Sequence, residues 1–167
     1  MPHIRHELLI AASAEKIYRA ITSQEGLSGW WTPGIRTTAV QNSIARFSFG
    51  PDYFKEMKIT KLEAPQQVQW ICIAGADEWI DTNISFELQP GDKETLLNEH
   101  PELEGQEQQQ GDSNNGTLLV FHHDDWKAYT SMFAECNYTW ARFLWSLKLY
   151  CETGKGCPWP NQHRIQP

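Results

Sequence analysis

No stretch of this sequence approaches the roughly 20 consecutive apolar residues that a membrane-spanning helix needs. The longest apolar run, residues 71–76, is far shorter. The opening MPHIRHELL lacks the apolar core of an export signal, so the expected location is cytoplasmic. Excess positive charge is missing too, with 14 Lys and Arg against 21 Asp and Glu. A chain without a basic stripe does not displace counterions from a phosphate backbone, which excludes nucleic acid as a partner. Cys72, Cys136, Cys151 and Cys157 form no CxxC pair and have no His at a zinc-finger interval, so no metal and no disulfide framework is expected. No glycine-rich loop opens a helix either, since GKG in the tail follows one; no phosphate-bearing cofactor is expected.

What is present is aromatic: 8 Trp, 7 Phe and 5 Tyr in 167 residues. That length suits one domain, 1–167, with a core that needs no metal or disulfide. Residues 3–12 read as a strand with Ile4, His6, Leu8 and Ile10 on one face. Ser13 offers an N-cap to a helix whose Ile17, Ala20 and Ile21 form a stripe. Thr22 and Ser23 start a second short helix in which Leu27, Trp30 and Trp31 precede the stop at Pro33-Gly34. Strands are then expected at 37–40, 44–49, 54–63, 68–74, 79–89 and 117–123, joined by short turns as an antiparallel meander. Alternation assigns inner faces to Phe47 and Phe49, to Met57 and Ile59, to Val68, Trp70 and Cys72, to Ile84, Phe86 and Leu88, and to Leu119, Phe121 and His123. A long helix over 128–152 carries Phe133, Cys136, Trp140, Phe143, Leu144 and Leu147 at helical spacing, and Gly154 stops it.

Two segments stand apart. Residues 90–115 hold seven acids against one base, which is six of the seven excess negative charges, and only Leu96, Leu97 and Leu103 could pack there. So little apolar surface does not offset the entropy of ordering, so a mobile hairpin insertion is expected, with room for a short helix over 94–100. The tail 155–167, rich in proline, is expected to run irregularly over the surface.

This order of elements is an α+β domain: a curved antiparallel sheet of six to seven strands wrapped on a long C-terminal helix. A bent sheet and a straight helix do not pack flush, and the aromatics either fill or line the hollow between them. SAEKIYRAITSQEGLSGWWTP, LEAPQQVQW, ISFELQP, GTLLVFHHDDW and WARFLWSLKLYCETGKGCP, in that order, resemble the family of activator of 90-kDa heat-shock protein ATPase homologues. The resemblance implies a START-like, birch-pollen-allergen-like (SRPBCC) helix-grip fold around a cavity for apolar molecules. It maps that cavity onto Trp30, Trp31, Trp70, Phe86, Phe121 and Trp140, and implies no catalytic group.

The expected ligand-binding set is Trp31, Phe47, Phe49, Trp70, Trp79, Phe86, Phe121, His123, Phe133, Cys136, Trp140 and Leu144, with Tyr138 as a further polar contact. Neighbouring helical residues point about 100° apart, so Trp30 is expected in the core and Trp31 as a gate at the cavity mouth. The leading expectation is non-enzymatic binding of a small hydrophobic molecule, such as a lipid, polyketide or flavonoid-like compound. One alternative is a chaperone-interaction module using an exposed patch of Trp31, Trp145 and Trp159. The other is a cyclase- or hydrolase-like enzyme with His123 as the base; in the plainer reading, His123 caps the cavity through hydrogen bonds.

Overall fold

The computed structural model of the chain describes residues 1–106 and 114–164. The elements run β1 (Ile4–Ile10), α1 (Ala14–Thr22), α2 (Gln24–Trp30), β2 (Gly34–Arg36), β3 (Ile44–Ser48), β4 (Phe54–Glu63), β5 (Gln67–Ala74), β6 (Asn83–Asp92), α3 (Lys93–Glu99), β7 (Asn115–Asp124) and α4 (Ser131–Thr153). The strands form one antiparallel sheet in the order β1-β7-β6-β5-β4-β3-β2. It is therefore a meander from β2 to β7, with β1 added beside the last strand.

Local chemistry explains the two helices after β1. Ser13 caps α1, its Oγ accepting from the Lys16 amide at 3.2 Å. Ser23 serves both helices: its hydroxyl donates to the Arg19 carbonyl at 2.7 Å and accepts from the Gly26 amide at 3.0 Å. A Cβ at Gly26 would lie 2.5 Å from the Ala20 Cα, so glycine lets α2 fold back directly on α1. Thr130 caps α4 by accepting from the Phe133 amide at 3.1 Å, and Gly154 ends it in the left-handed region at φ 84.

The expected inner faces are largely met: Phe47, Met57, Ile59, Val68, Trp70, Cys72, Ile84, Phe86, Leu88, Leu119, Phe121 and His123 are all buried, and Phe49 is half-buried against the core. Four expectations are corrected. Residues 37–40 form no strand; the edge strand is β2, three to four residues earlier, where Ile35 is buried opposite Phe47. Ala39 then takes φ 53, which breaks an extended run despite the β-prone Thr-Thr-Ala-Val. The strand expected over 79–89 is β6, from Asn83 to Asp92, because the chain turns through Asp81 at φ 70 before entering the sheet. The long helix begins at Ser131, after its Thr130 cap, and not at residue 128.

The fourth correction concerns the acidic insertion. The short helix allowed over 94–100 is present as α3, and a 3-10 turn over Pro101–Gln106 follows it, so this part of the insertion is ordered against the sheet. Leu96 and Leu103 are buried with Leu9 and Leu118 on the outer face of β1 and β7. Two leucines suffice there because the sheet supplies two more; composition counted only the insertion's own side chains. Residues 90–92 and 115 of the expected mobile stretch belong to β6 and β7, while 107–113, and residues 165–167 of the tail, lie outside the described residues.

One buried ion pair joins α4 to the start of the chain. The Lys148 ammonium donates to the Leu9 carbonyl and, at 2.8 Å, to the Glu152 carboxylate, which also accepts from the Ala11 amide at 2.9 Å. Both side chains are almost wholly buried. Removing one partner would strand a charge in the interior. Lys148→Met is expected to lower the unfolding free energy by about 3–5 kcal/mol, and adding Glu152→Gln, which keeps an acceptor for Ala11 without the charge, to recover part of it; urea denaturation measures both.

Candidate ligand pocket

The sheet and α4 do not close completely on each other. Between them lies a pocket of about 550 Å³. Its α4 wall is Met132, Glu135, Cys136, Thr139, Trp140 and Phe143, one stripe at spacings of three and four residues. The sheet side comes from Trp31 just after α2, from Phe49, Tyr53 and Lys55 around the β3–β4 turn, and from Trp79 in the β5–β6 turn. The tail contributes Trp159, Gln162 and His163.

Trp31 forms the deep wall. It is 1% exposed, and its ring lies 4.4 Å from Phe47, 5.0 Å from Trp140 and parallel to Trp70 at 6.0 Å. The gate expected at Trp31 is therefore corrected. Trp31 is the C-cap residue at φ -107, ψ -69, where the helical 100° rule no longer sets side-chain direction, and its indole stacks on Trp30. Trp30 packs inward as expected, its indole N–H donating to the Ala20 carbonyl at 2.8 Å. The outer position belongs to Trp159, whose amide donates to the Trp31 carbonyl at 2.8 Å and whose ring meets Phe49 edge-on. With Trp31 buried, the exposed patch expected of Trp31, Trp145 and Trp159 does not exist.

Of the expected ligand-binding set, Trp31, Phe49, Trp79, Cys136 and Trp140 line the pocket. Phe47, Trp70, Phe86, Phe121 and Leu144 are buried behind it in the core and fill space that the fold would otherwise leave. Phe133 packs edge-on against Trp126 and Tyr129, away from the pocket wall. Tyr138 is 53% exposed and stacks on His163.

His123 is not a pocket residue. The Trp140 indole N–H donates to its Nδ1 at 3.1 Å, so Nδ1 carries the lone pair and Nε2 the proton. Nε2 in turn donates to Thr82 Oγ1 at 2.9 Å, and that hydroxyl to the Trp79 carbonyl at 2.6 Å. Burial and the nearby Lys55 charge hold its pKa well below the usual imidazole value. Its one basic lone pair is already engaged, which overturns the role of base and leaves the plainer hydrogen-bonding reading. Asp124 and Asp125 are likewise engaged, with His3 and Arg5 and with Asn83. No cluster of potential metal ligands occurs among the described residues.

Sequence reasoning missed Lys55. It is 7% exposed, with its ammonium 3.9 Å from the Trp79 ring centroid, 4.5 Å from Phe49 and 4.8 Å from Tyr53. Burial pulls its pKa down to about 8. The signal was present: Lys55 is in phase with inward-facing Met57 and Ile59 on β4. Trp79 donates its indole N–H to Cys136 Sγ at 3.3 Å across the pocket, and burial pushes the Cys136 thiol up.

The family model for Activator of Hsp90 ATPase homolog 1-like protein matches residues 11–138. The chain belongs to this family. A solution structure of the Aha1 dimer from Colwellia psychrerythraea is 35% identical, with a TM-score of 0.72 over 93% of this chain and 100% of that one. A conserved protein of unknown function from Enterococcus faecalis shares 22% identity, with a TM-score of 0.64 over 91% of this chain and 72% of that one. CalU16 from Micromonospora echinospora shares the fold at 17% identity, with a TM-score of 0.62 over 97% and 80% of the two chains. No curated protein matches the chain. The helix-grip architecture expected of an Hsp90-activator homologue is the one observed, and no helix among the described residues is long and apolar enough to cross a membrane.

The histidine assignment has a pH signature. Below about 6.5 the unfolded chain takes up a proton that folded His123 refuses, so stability falls with decreasing pH by up to about 1.4 kcal/mol per unit. His123→Gln is expected to remove that component. Half-buried His6, also held below its usual value by burial, acts in the same direction in both proteins. The readout is therefore the difference between their urea-denaturation profiles from about pH 5 to 8.

Proposed function

We propose that this chain binds a small, largely apolar molecule between α4 and the curved sheet, without transforming it. The observation that carries this reading is the pocket of about 550 Å³ walled mainly by Trp, Phe, Met and Cys side chains. Its size lies inside the range of roughly 300–1,000 Å³ typical of small-molecule sites, and a few polar groups among apolar walls is their usual chemistry. The fold supports it further, because a straight helix across a bent sheet leaves space that the core aromatics do not fill. Lipid, polyketide and flavonoid-like compounds all fit such walls.

A ligand that binds only the folded chain raises its Tm in proportion to ln(1 + [L]/Kd). A panel of long-chain alcohols, fatty acids, flavonoids and polyketides is expected to contain members that do so. Thr139→Trp sets an indole into the pocket from its α4 wall, at a half-buried position, and is expected to abolish the shift while far-UV circular dichroism is unchanged. A panel that leaves the native protein's Tm unmoved would overturn the reading.

Family membership favours a second reading, contact with a chaperone, because the matching family is described by activation of Hsp90 ATPase. Its readout is ATP turnover by purified Hsp90 with and without this chain, which the Thr139→Trp variant would leave unaltered if the pocket plays no part.

A further inference from the structure

The pocket holds a nearly buried cation with no ion-pair partner among the described residues. Lys55 forms no hydrogen bond or ion pair among the described residues; its ammonium meets only the ring faces of Trp79, Phe49 and Tyr53. The other buried lysine shows the contrast, since Lys148 is tied to a carboxylate and a carbonyl. A structural lysine in this fold is thus satisfied, whereas Lys55 faces an open space. A second group in the same wall lacks a partner: Gln162 is 8% exposed and its buried Oε1 has no hydrogen-bond partner among the described residues. Rotated about its last bond, that amide presents N–H groups instead.

We propose that the occupant of this pocket is an amphipathic acid, its apolar body held among Trp79, Cys136, Trp140 and Phe143 and its anionic end on the Lys55 ammonium. This rests on the pocket being a small-molecule site and names the ligand's chemistry. Ring faces stabilise an ammonium but supply no oxygen acceptor, so its N–H donors are left to whatever fills the pocket. An anion supplies those acceptors and a counter-charge inside apolar walls, where a charge-assisted hydrogen bond is shielded from water. A neutral ligand of equal length can offer the ammonium an acceptor but no counter-charge, and a hydrogen bond between an ion and a neutral group is the weaker of the two.

The groups around Lys55 fix the expected pH response. Cys72 from β5 and Cys136 from α4 are thiols that burial pushes up, and Tyr53 is raised as well. Glu135 of α4 and His163 of the tail complete the titratable lining, with Glu78 next to Trp79 engaged by Thr130. His123 of β7 is held neutral. Among Lys55, the two thiols and the Tyr53 phenol, Lys55 therefore deprotonates first as pH rises, at about 8 in the unliganded protein, and an anionic ligand loses its partner there.

The test titrates the full chain with sodium octanoate and with 1-octanol, following the fluorescence of the pocket tryptophans and the heat of binding. At pH 7 octanoate is expected to bind at least about tenfold more tightly than octanol, a difference that one charge-assisted contact supplies. Octanoate affinity is expected to fall as the pH is raised through about 8, while octanol affinity stays level. Lys55→Met is expected to remove the preference for the acid and leave octanol binding intact; it exchanges a buried ammonium for an apolar chain, so the fold is kept. Equal affinities for acid and alcohol at every pH would overturn the acid assignment and leave the apolar pocket standing. Binding of neither probe would overturn the pocket reading as well.

Discussion

The indole of Trp31 is the contact on which the rest of the molecule depends. It touches rings from every layer: Trp30 of α2, Phe47 of β3, Trp70 of β5, and Trp140 and Phe143 of α4. Its carbonyl also holds the tail through the Trp159 amide. Each aromatic of this size buries about 150–250 Å², and offset or edge contacts add to that burial. Such a stack is rigid and wide, so it props the sheet away from α4 on one side. The pocket is the space beside the stack that no side chain of comparable size enters.

The buried polar groups divide by whether they are satisfied. His123, Thr82, Trp79 and Trp140 form a closed chain of donors and acceptors between β7, the β5–β6 turn and α4. Lys148 and Glu152 complete the hydrogen bonds of the backbone where β1 ends. These groups hold elements together, and none of them lines the pocket except Trp79 and Trp140, whose indole N–H groups are spent on Cys136 and His123. Lys55 is different, since only ring faces meet it. An unpartnered cation in an apolar wall costs stability, and that cost has a use if a ligand removes it.

Much of the sheet was legible because alternation leaves little freedom once one face must be apolar: Met57 and Ile59, Val68, Trp70 and Cys72, and Leu119, Phe121 and His123 all point inward as their spacing requires. The candidate site was less legible. Five of the twelve expected residues reach the pocket, and Phe47, Phe86 or Phe121 cannot be told from Trp79 or Phe49 by pattern, since filling a hollow and lining it demand the same apolar side chain. Charge bias hid Lys55, which reads as a solvated residue until its phase with Met57 is noticed. The tail was read as a surface run, yet Trp159 and Gln162 are part of the wall.

By itself the sequence determined the α+β class, the order of strands and helices, the inner faces and the terminal helix. Those follow from local periodicity, capping residues and composition, which act over a few residues at a time. Only the tertiary structure decided that Trp31 is a buried prop and Trp159 the outer ring, that His123 spends both nitrogens on its neighbours, that Leu96 and Leu103 find Leu9 and Leu118, and that Lys55 lies unpaired among three rings. The reason is physical: whether a side chain fills, lines or is satisfied depends on atoms that arrive from distant parts of the chain.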